Sequence, residues 1–428
     1  LIRAAQAANI PIVRASAKTV ATVAPKDAAP QNGLSSRLSR ALDRRREALL
    51  LRERRILEPI DAVRVRHAGT VLVNFASNDY LGLAHHPRVL AAIRDAARED
   101  GGSAGSGAAG LISGYTPAHM AAESAISTWK VTEAAVLLPS GYQANLAAVQ
   151  TLAAIARDSG GAGARFLVDK LAHASLLDAV QQTGSPMRIF PHNGMTKLRR
   201  LLESAQPGVM QIVVTESIFS MDGDAADLPA LAALKEEFGF VLLLDEAHAS
   251  GIYGPAGAGY AAEMGLARLA DVTVCTLSKA MGVAGGAVVG SCSLCDAVVN
   301  FGRAYIYSTS PAPVVAAAIA EAIRVSHDEP WRRERVRALA LHVRNSLAEK
   351  GWKLPAGDSP IIPIIMGDEQ SALAAAERLE GQEILCVAVR PPTVPRGSSR
   401  LRITLSCEHT DEQIARLIAA IGSPQNSK

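Results

Sequence analysis

The sequence predicts an α/β protein: a large domain built on a mostly parallel sheet, followed by a smaller C-terminal α+β domain. Three observations carry this. Between about residues 70 and 325, apolar runs of three to five residues alternate with amphipathic stretches of helical period, the pattern of βαβ units. After Glu329-Pro330 the rhythm changes to longer helices separated by fewer, more widely spaced strands. The chain of 428 residues, 49% of them apolar, is long enough for one large core and a second domain.

Taken in order, residues 1–36 read as a disordered tail or a misplaced start. They are rich in Ala, Ser and Val, with Asp27 their one acid, and superficially resemble a transit peptide. They lack the compact apolar segment and cleavage site of a secretory signal. Residues 37–70 form an N-terminal arm, opening on a basic helix over 37–58 in which Leu38, Leu42, Leu49, Leu50 and Ile56 share a face. The large domain spans 71–328. Its strands are expected at 135–138, 165–168, 187–190, 211–215, 240–244, 272–276 and 287–289, with amphipathic helices such as 196–204 and 228–238 between them. The small domain, 329–428, reads as helix 331–350, strand 361–365, helix 370–381, strands 385–389 and 401–404, and a final helix 411–421.

Composition excludes several classes. Lys and Arg number 44 against 41 Asp and Glu, a net charge of +3, far from the concentrated basic field of a dedicated nucleic-acid binder. The basic arm lacks interleaved aromatics for stacking on bases. No uncharged apolar run reaches the roughly 18 residues of a membrane span. Five cysteines, an odd count in a long chain, point to a reducing, cytoplasmic setting. Cys292 and Cys295 form one C-x-x-C, but no second pair or nearby histidine completes a metal site, so no metal is expected.

Ligands of open α/β sheets bind at the carboxyl ends of the strands. Four apolar runs end there in polar groups: Asp169 and His173; Glu216 and Ser220; Asp245, Glu246 and His248; Thr276, Ser278 and Lys279. Asp245 and Lys279 are the most informative. A lysine on a loop of small residues (Ala280 to Gly286) can reach a carbonyl and form a Schiff base once its amine is neutral. An acid at the end of a buried strand can keep a pyridine nitrogen protonated. Together they point to pyridoxal phosphate (PLP). His173 and His248 could stack on such a ring or bond its phenolic oxygen; alone, each reads as a satisfied structural histidine. The segment 139–145, PSGYQAN, follows a strand and opens a helix, a fit for a phosphate cradle, though Ser140-Gly141 alone also reads as a plain strand–helix turn. GSGAAG at 105–110 matches G-x-G-x-x-G, but it follows a helical stretch instead of a strand, so it is not read as a dinucleotide site.

With these residues in view, the chain resembles the α-oxoamine synthases, PLP enzymes of fold type I, the aspartate-aminotransferase-like fold. The resemblance runs from about Leu38 to Ile421 and rests on NFASNDYLGL (74–83), LAHASLL (171–177), TESIFSMDGD (215–224), DEAH (245–248), TLSK (276–279), YSTS (307–310) and RPPTVP (390–395). It implies that Lys279 holds the cofactor and moves the α-proton. Asp245 would pair with the pyridine nitrogen and His173 would stack on the ring. Ser220 and His248 would lie near the phenolic oxygen; Gly141, Tyr142 and Thr276 would hold the phosphate. It implies a homodimer with the site at the interface, where Ser308 and Thr309 serve the partner subunit's phosphate. Arg402 matches the arginine that receives the amino-acid carboxylate, and Arg52 and Thr393 match further substrate-contacting positions. Two departures are small: Glu246 stands where many relatives carry a second Asp, and Ser278 where some carry Gly.

Within the family, SNDY (77–80) and RPPT (390–393) look most like the members that condense L-alanine with a pimeloyl thioester, of CoA or an acyl-carrier protein. Relatives that take glycine or serine are the alternative, since one methyl group alters selectivity by only about 1–3 kcal/mol. Neither nucleic acid nor membrane is expected as a partner. A non-catalytic relative acting through the basic arm is disfavoured by the presence of Lys279, Asp245 and His173 together.

Overall fold

The computed structural model describes residues 33–98, 102–158 and 160–424; residues 1–32 of the expected tail lie outside them. The chain divides into two units, Leu1–Glu53 and Arg54–Lys428. In the first, the basic helix runs Leu34–Glu47, starting earlier and stopping sooner than the spacing over 37–58 predicts. Arg44, Arg45 and Arg46 occupy its last turn, where cations suit the negative end of the helix. The Ala48 N–H bonds Arg44 O, and Leu49 turns left-handed at φ 56°, a conformation that ends a helix.

The second unit opens with three short strands absent from the sequence-based reading: β1 (Glu58–Pro59), β2 (Arg64–His67) and β3 (Thr70–Asn74), an antiparallel set. Ala68 and Gly69, both at positive φ, make the two-residue turn between β2 and β3. The main sheet then follows: β4 (Ala134–Leu138), β5 (Ala164–Asp169), β6 (Met187–Phe190), β7 (Met210–Glu216), β8 (Val241–Asp245), β9 (Val272–Thr276) and β10 (Gly286–Gly290). Their spatial order is β4-β10-β9-β8-β7-β5-β6. β5 to β9 pair in parallel, and β10 runs antiparallel to β4 and β9.

These strands read as unbroken apolar runs because helices cover both faces of the sheet. Successive residues of a strand enter opposite cores: Val168, Val214 and Leu243 on one side, Leu167, Val213 and Leu244 on the other.

The C-terminal part holds β11 (Ile361–Gly367), β12 (Ile384–Leu385), β13 (Val387–Val389) and β14 (Ser399–Thr404). β11, β14 and β13 form an antiparallel sheet. The single strand expected over 385–389 is split at Cys386, because its halves pair differently: β12 with β3 and β13 with β14. One apolar cluster joins Val73, Leu277 and Ile323 to Val336, Ile361 and Leu401, so packing is continuous across residues 328 and 329.

Parallel pairing brings Asp169, Glu216, Asp245 and Thr276, each the last residue of its strand, to one rim. Glu216 sits directly opposite Asp245.

Candidate active site

β8 delivers Asp245 to the rim as a buried carboxylate. Its Oδ1 accepts the Ala247 N–H at 2.8 Å, and its Oδ2 accepts Asn145 Nδ2 at 2.8 Å. Asn145 lies in the helix Gly141–Asp158 and also donates to Ser175 Oγ at 2.9 Å. Ser175 in turn meets His173 Nδ1 twice, through Oγ at 2.7 Å and N–H at 3.2 Å. His173 Nδ1 is therefore the acceptor, its Nε2 carries the proton, and the ring caps the helix Ala174–Thr183. Burial holds the imidazole below its usual range, against the pull of Asp245. The chain Asp245–Asn145–Ser175–His173 thus fixes one carboxylate and one neutral ring.

Lys279 lies three residues beyond β9 on a tight turn. Gly282 N–H bonds Lys279 O at 2.9 Å, and Gly282 takes φ 66° flush against Ala84, where a Cβ would come within 2.2 Å of the Ala84 nitrogen. The side chain is half-buried, but its amine end is enclosed. Burial lowers the amine to about 8, with Asp245 and Glu216 opposing and Arg402 assisting. A neutral fraction near neutral pH is what nucleophilic and proton-transfer work requires. Lys279 Nζ lies 2.8 Å from His248 Nε2. Burial, Lys279 and Arg402 keep His248 neutral, well below its ordinary range.

Arg402, in β14, is buried too. Its Nε donates to Ser220 O at 2.6 Å and its Nη1 to Asn78 Oδ1 at 3.0 Å. The rest of its planar fork suits a carboxylate.

Gly141 opens its helix against the end of β9: a Cβ there would stand 2.1 Å from Thr276 Oγ1. Ser140 Oγ accepts Gln143 N–H at 3.2 Å, and Gln143 Nε2 donates to Ser308 Oγ at 2.7 Å. A helix start, two hydroxyls and a position closed to any Cβ fit the phosphate of PLP. Tyr142 is exposed, its hydroxyl donating to Asp178 Oδ2 at 2.8 Å. Thr309 and Thr393 are exposed, Thr393 in a turn where its N–H bonds Arg390 O. Arg52 belongs to the first unit.

Four residues that sequence reasoning gave no role complete the rim. Asn145 sits inside a helix rather than at a strand end. Asn78 and Tyr80 come from the segment after β3, and Tyr80 OH lies 2.7 Å from His248 Nδ1. Glu216 was visible as a strand ending, but its state depends on its register with Asp245. Burial and the Asp245 charge hold its carboxyl well above the usual range. Its Oε1 is buried without a hydrogen-bond partner within the protein.

Behind the rim, His192 bridges Asp169 Oδ1 at 3.2 Å and Asp224 Oδ2 at 2.7 Å, tying together the loops that carry His173 and Ser220. Burial works against the charged ring, yet the two carboxylates outweigh it and hold His192 at about 10. A folded value above the unfolded one of about 6.5 means the bridge stabilises fully below that pH and is lost as pH rises through 10. His192→Gln is therefore expected to be least stable relative to the parent at pH 6 and to converge with it near pH 10. Urea unfolding at both pH values checks this; a deficit that does not shrink would refute it.

A cleft of about 830 Å³ lined by Arg157, Arg165 and Arg188 opens at the opposite end of the sheet. Its chemistry is structural: Arg165 Nη1 donates to Leu201 O at 3.1 Å, capping a helix end. Among the described residues no cluster of His, Cys, Asp and Glu could hold a metal, and no helix is long and apolar enough to cross a membrane.

Residues 70–421 match the family pattern of aminotransferase class I and II. The chain is 42% identical to an 8-amino-7-oxononanoate synthase of Alkalilimnicola ehrlichii, over 91% of this chain and 97% of that one. It is 40% identical to one of Cellvibrio japonicus, over 92% and 97%. Among solved structures, a serine palmitoyltransferase with PLP internal aldimine superposes with a TM-score of 0.84 at 28% identity, covering 91% of this chain and 97% of that one. The chain belongs to the PLP-dependent class I and II aminotransferase family of fold type I and, within it, to the α-oxoamine synthases, alongside the 8-amino-7-oxononanoate synthases.

Proposed function

We propose that this chain catalyses the decarboxylative condensation of L-alanine with a pimeloyl thioester to give 8-amino-7-oxononanoate, a step of biotin biosynthesis. The observation that carries this reading is identity of about 40% to synthases of that name over nine-tenths of the chain, with Lys279, Asp245, His173 and Arg402 converging on one rim. When bound, PLP supplies an electron sink for negative charge at the amino acid's α-carbon.

The chain's own residues do the rest. Asp245, held by Asn145 and the Ala247 N–H, keeps the pyridine nitrogen protonated. His173, with its ring fixed by Ser175, covers the cofactor. Ser220 and His248 serve the phenolic oxygen. Thr276 and the backbone N–H groups of Gly141 and Tyr142 hold the phosphate, with Ser308 and Thr309 completing it across a homodimer interface. Lys279 takes the α-proton and returns it after carbon dioxide leaves. Arg402 receives the alanine carboxylate, and Arg52 and Thr393 contact substrate. The pimeloyl group arrives on CoA or on an acyl-carrier protein in the cytoplasm, and its thiol departs.

The test is release of thiol and carbon dioxide from pimeloyl-CoA, and separately from pimeloyl acyl-carrier protein, with L-alanine, glycine or L-serine as partner. Turnover with alanine supports the reading; turnover confined to glycine or serine replaces it with another α-oxoamine synthase. A second expectation concerns the cradle. Gly141→Ala forces a methyl group into Thr276, so PLP affinity should fall tenfold or more, roughly 1.4 kcal/mol, measured by equilibrium dialysis. Unchanged affinity would mean the phosphate is held elsewhere.

A further inference from the structure

We propose that Arg400 is a positioning residue for recognition of the amino-acid carboxylate: it fixes the loop whose Ser220 carbonyl orients Arg402. This deepens the reading above, on which Arg402 receives that carboxylate. Arg400 and Arg402 lie two residues apart on β14, so their side chains leave the same face. β14 is the middle strand of its sheet, paired with β11 on one edge and β13 on the other. Both arginines therefore start from backbone held on two sides, and both reach the loop after β7. Arg402 Nε donates to Ser220 O at 2.6 Å. Arg400 Nη1 donates to Met221 O at 3.2 Å and to Asp222 Oδ1, while its Nε donates to Ser398 O at 3.0 Å.

The two arginines act on neighbouring peptide planes. Ser220 O belongs to the plane before Met221, and Met221 O to the plane after it. With both planes held, the backbone angles of Met221 are held too, since each peptide is rigid in itself. The far side of the loop is fixed separately. Gly223, at φ 67°, sits where a Cβ would come within 2.3 Å of Ile361 O, and Asp224 Oδ2 meets His192 Nε2 at 2.7 Å. Arg400 closes the span between Ser220 and Gly223. Its side chain is 5% exposed and that of Asp222 25%, so water has little access to the arginine's side of the pair.

The consequence for Arg402 is directional. Ser220 O and Asn78 Oδ1 take two of its N–H groups, and a carboxylate must fit those that remain. The tilt of the guanidinium plane therefore follows the direction of the Ser220 carbonyl. Arg400→Met keeps an apolar stem but releases Met221 O and Asp222, so Ser220 O is no longer held against Arg402. Carboxylate recognition should weaken about tenfold, the order of one charge-assisted hydrogen bond. Asp222→Ala leaves the Met221 contact in place and should weaken it in the same direction by less. Asp222→Asn keeps an oxygen for Arg400 and should weaken it least.

Two readouts on the full chain test this. The first is amide hydrogen exchange without cofactor. The N–H groups of Phe219 and Gly223, bonded to Asp224 O and Phe219 O, should exchange faster in Arg400→Met than in the parent. The second is binding to the PLP-loaded protein, followed by its visible absorbance. The quantity read is the affinity for L-alanine divided by that for ethylamine, the same molecule without its carboxylate. This ratio should fall about tenfold in Arg400→Met; a general loss of folding lowers both affinities and leaves the ratio alone. Faster exchange with an unchanged ratio would leave Arg400 a structural residue and overturn the proposal. A lower ratio with unchanged exchange would overturn it as well, since the effect would not pass through the loop. If Arg400→Met does not fold, Asp222→Ala decides by the same two measurements. If glycine or serine proves to be the substrate, the ratio is taken against methylamine or ethanolamine and decides in the same way. A parent that binds its amino acid no better than the matching amine would overturn the assigned role of Arg402, and this inference with it.

Discussion

Lys279→Ala is expected to lower kcat by about four orders of magnitude while the chain stays folded. The size follows from the position of the amine: it stands 2.8 Å from His248 Nε2, where it feels the charges of Asp245 and Glu216. The amine is brought to about 8 chiefly by burial, so near neutral pH it is available both to bond the cofactor's aldehyde and to carry a proton. Alanine can do neither. Lys279 is not an anchor of the apolar core, so its loss should leave the circular dichroism and the urea midpoint close to those of the parent. PLP should still bind through Asp245, His173 and the Gly141 cradle, but borohydride should fix none of it to the chain. Turnover within tenfold of the parent, or a borohydride-stable link at a different lysine, would show that the wrong amine has been assigned.

The residues that made this site readable are those at strand ends. A parallel strand covered on both faces is an unbroken apolar run, and its first polar residue marks the rim. Asp169, Glu216, Asp245 and Thr276 all emerged in that way, and β4 to β10 lie within a residue or two of where the runs place them.

Other parts of the site follow no such signal. Asn145 is one polar residue inside a helix, and only the packing of that helix on the sheet turns it toward Asp245 at 2.8 Å. Tyr80 and His248 are 168 residues apart in sequence, so no local pattern connects them. Glu216 reads like any strand-terminal acid until register places it opposite a buried Asp245. The basic helix was overextended because leucine spacing continues past Glu47, whereas the left-handed backbone at Leu49 leaves no mark on that spacing. β1 to β3 were missed because strands of two to five residues, mostly exposed on β1 and β2, show too little alternation to stand out.

Lys130→Ala should give the largest loss of stability, about 3–5 kcal/mol, because it strands a buried carboxylate. Lys130 closes the helix Pro117–Lys130, and its ammonium bonds Glu246 Oε2 at 2.6 Å, Ser250 Oγ at 3.1 Å and the Ala258 carbonyl. The two charged side chains are 2% and 4% exposed, so water cannot take the place of either. Glu246 Oε1 accepts the Ala261 N–H at 2.9 Å, and Gly259 packs so closely that a Cβ would fall 1.9 Å from Oε2. The Glu246 carboxylate spans Lys130 and Ala261 together. The segment it pins, 246–261, includes His248, so disorder there would reach the rim. Removing both charges in a Lys130→Met, Glu246→Leu protein should cost less than Lys130→Ala alone, since no unpaired charge remains buried. Urea unfolding of the three proteins, with activity measured alongside, checks the order. A loss below about 1 kcal/mol for Lys130→Ala, or a double variant less stable than the single one, would mean that packing and not the ion pair holds this segment.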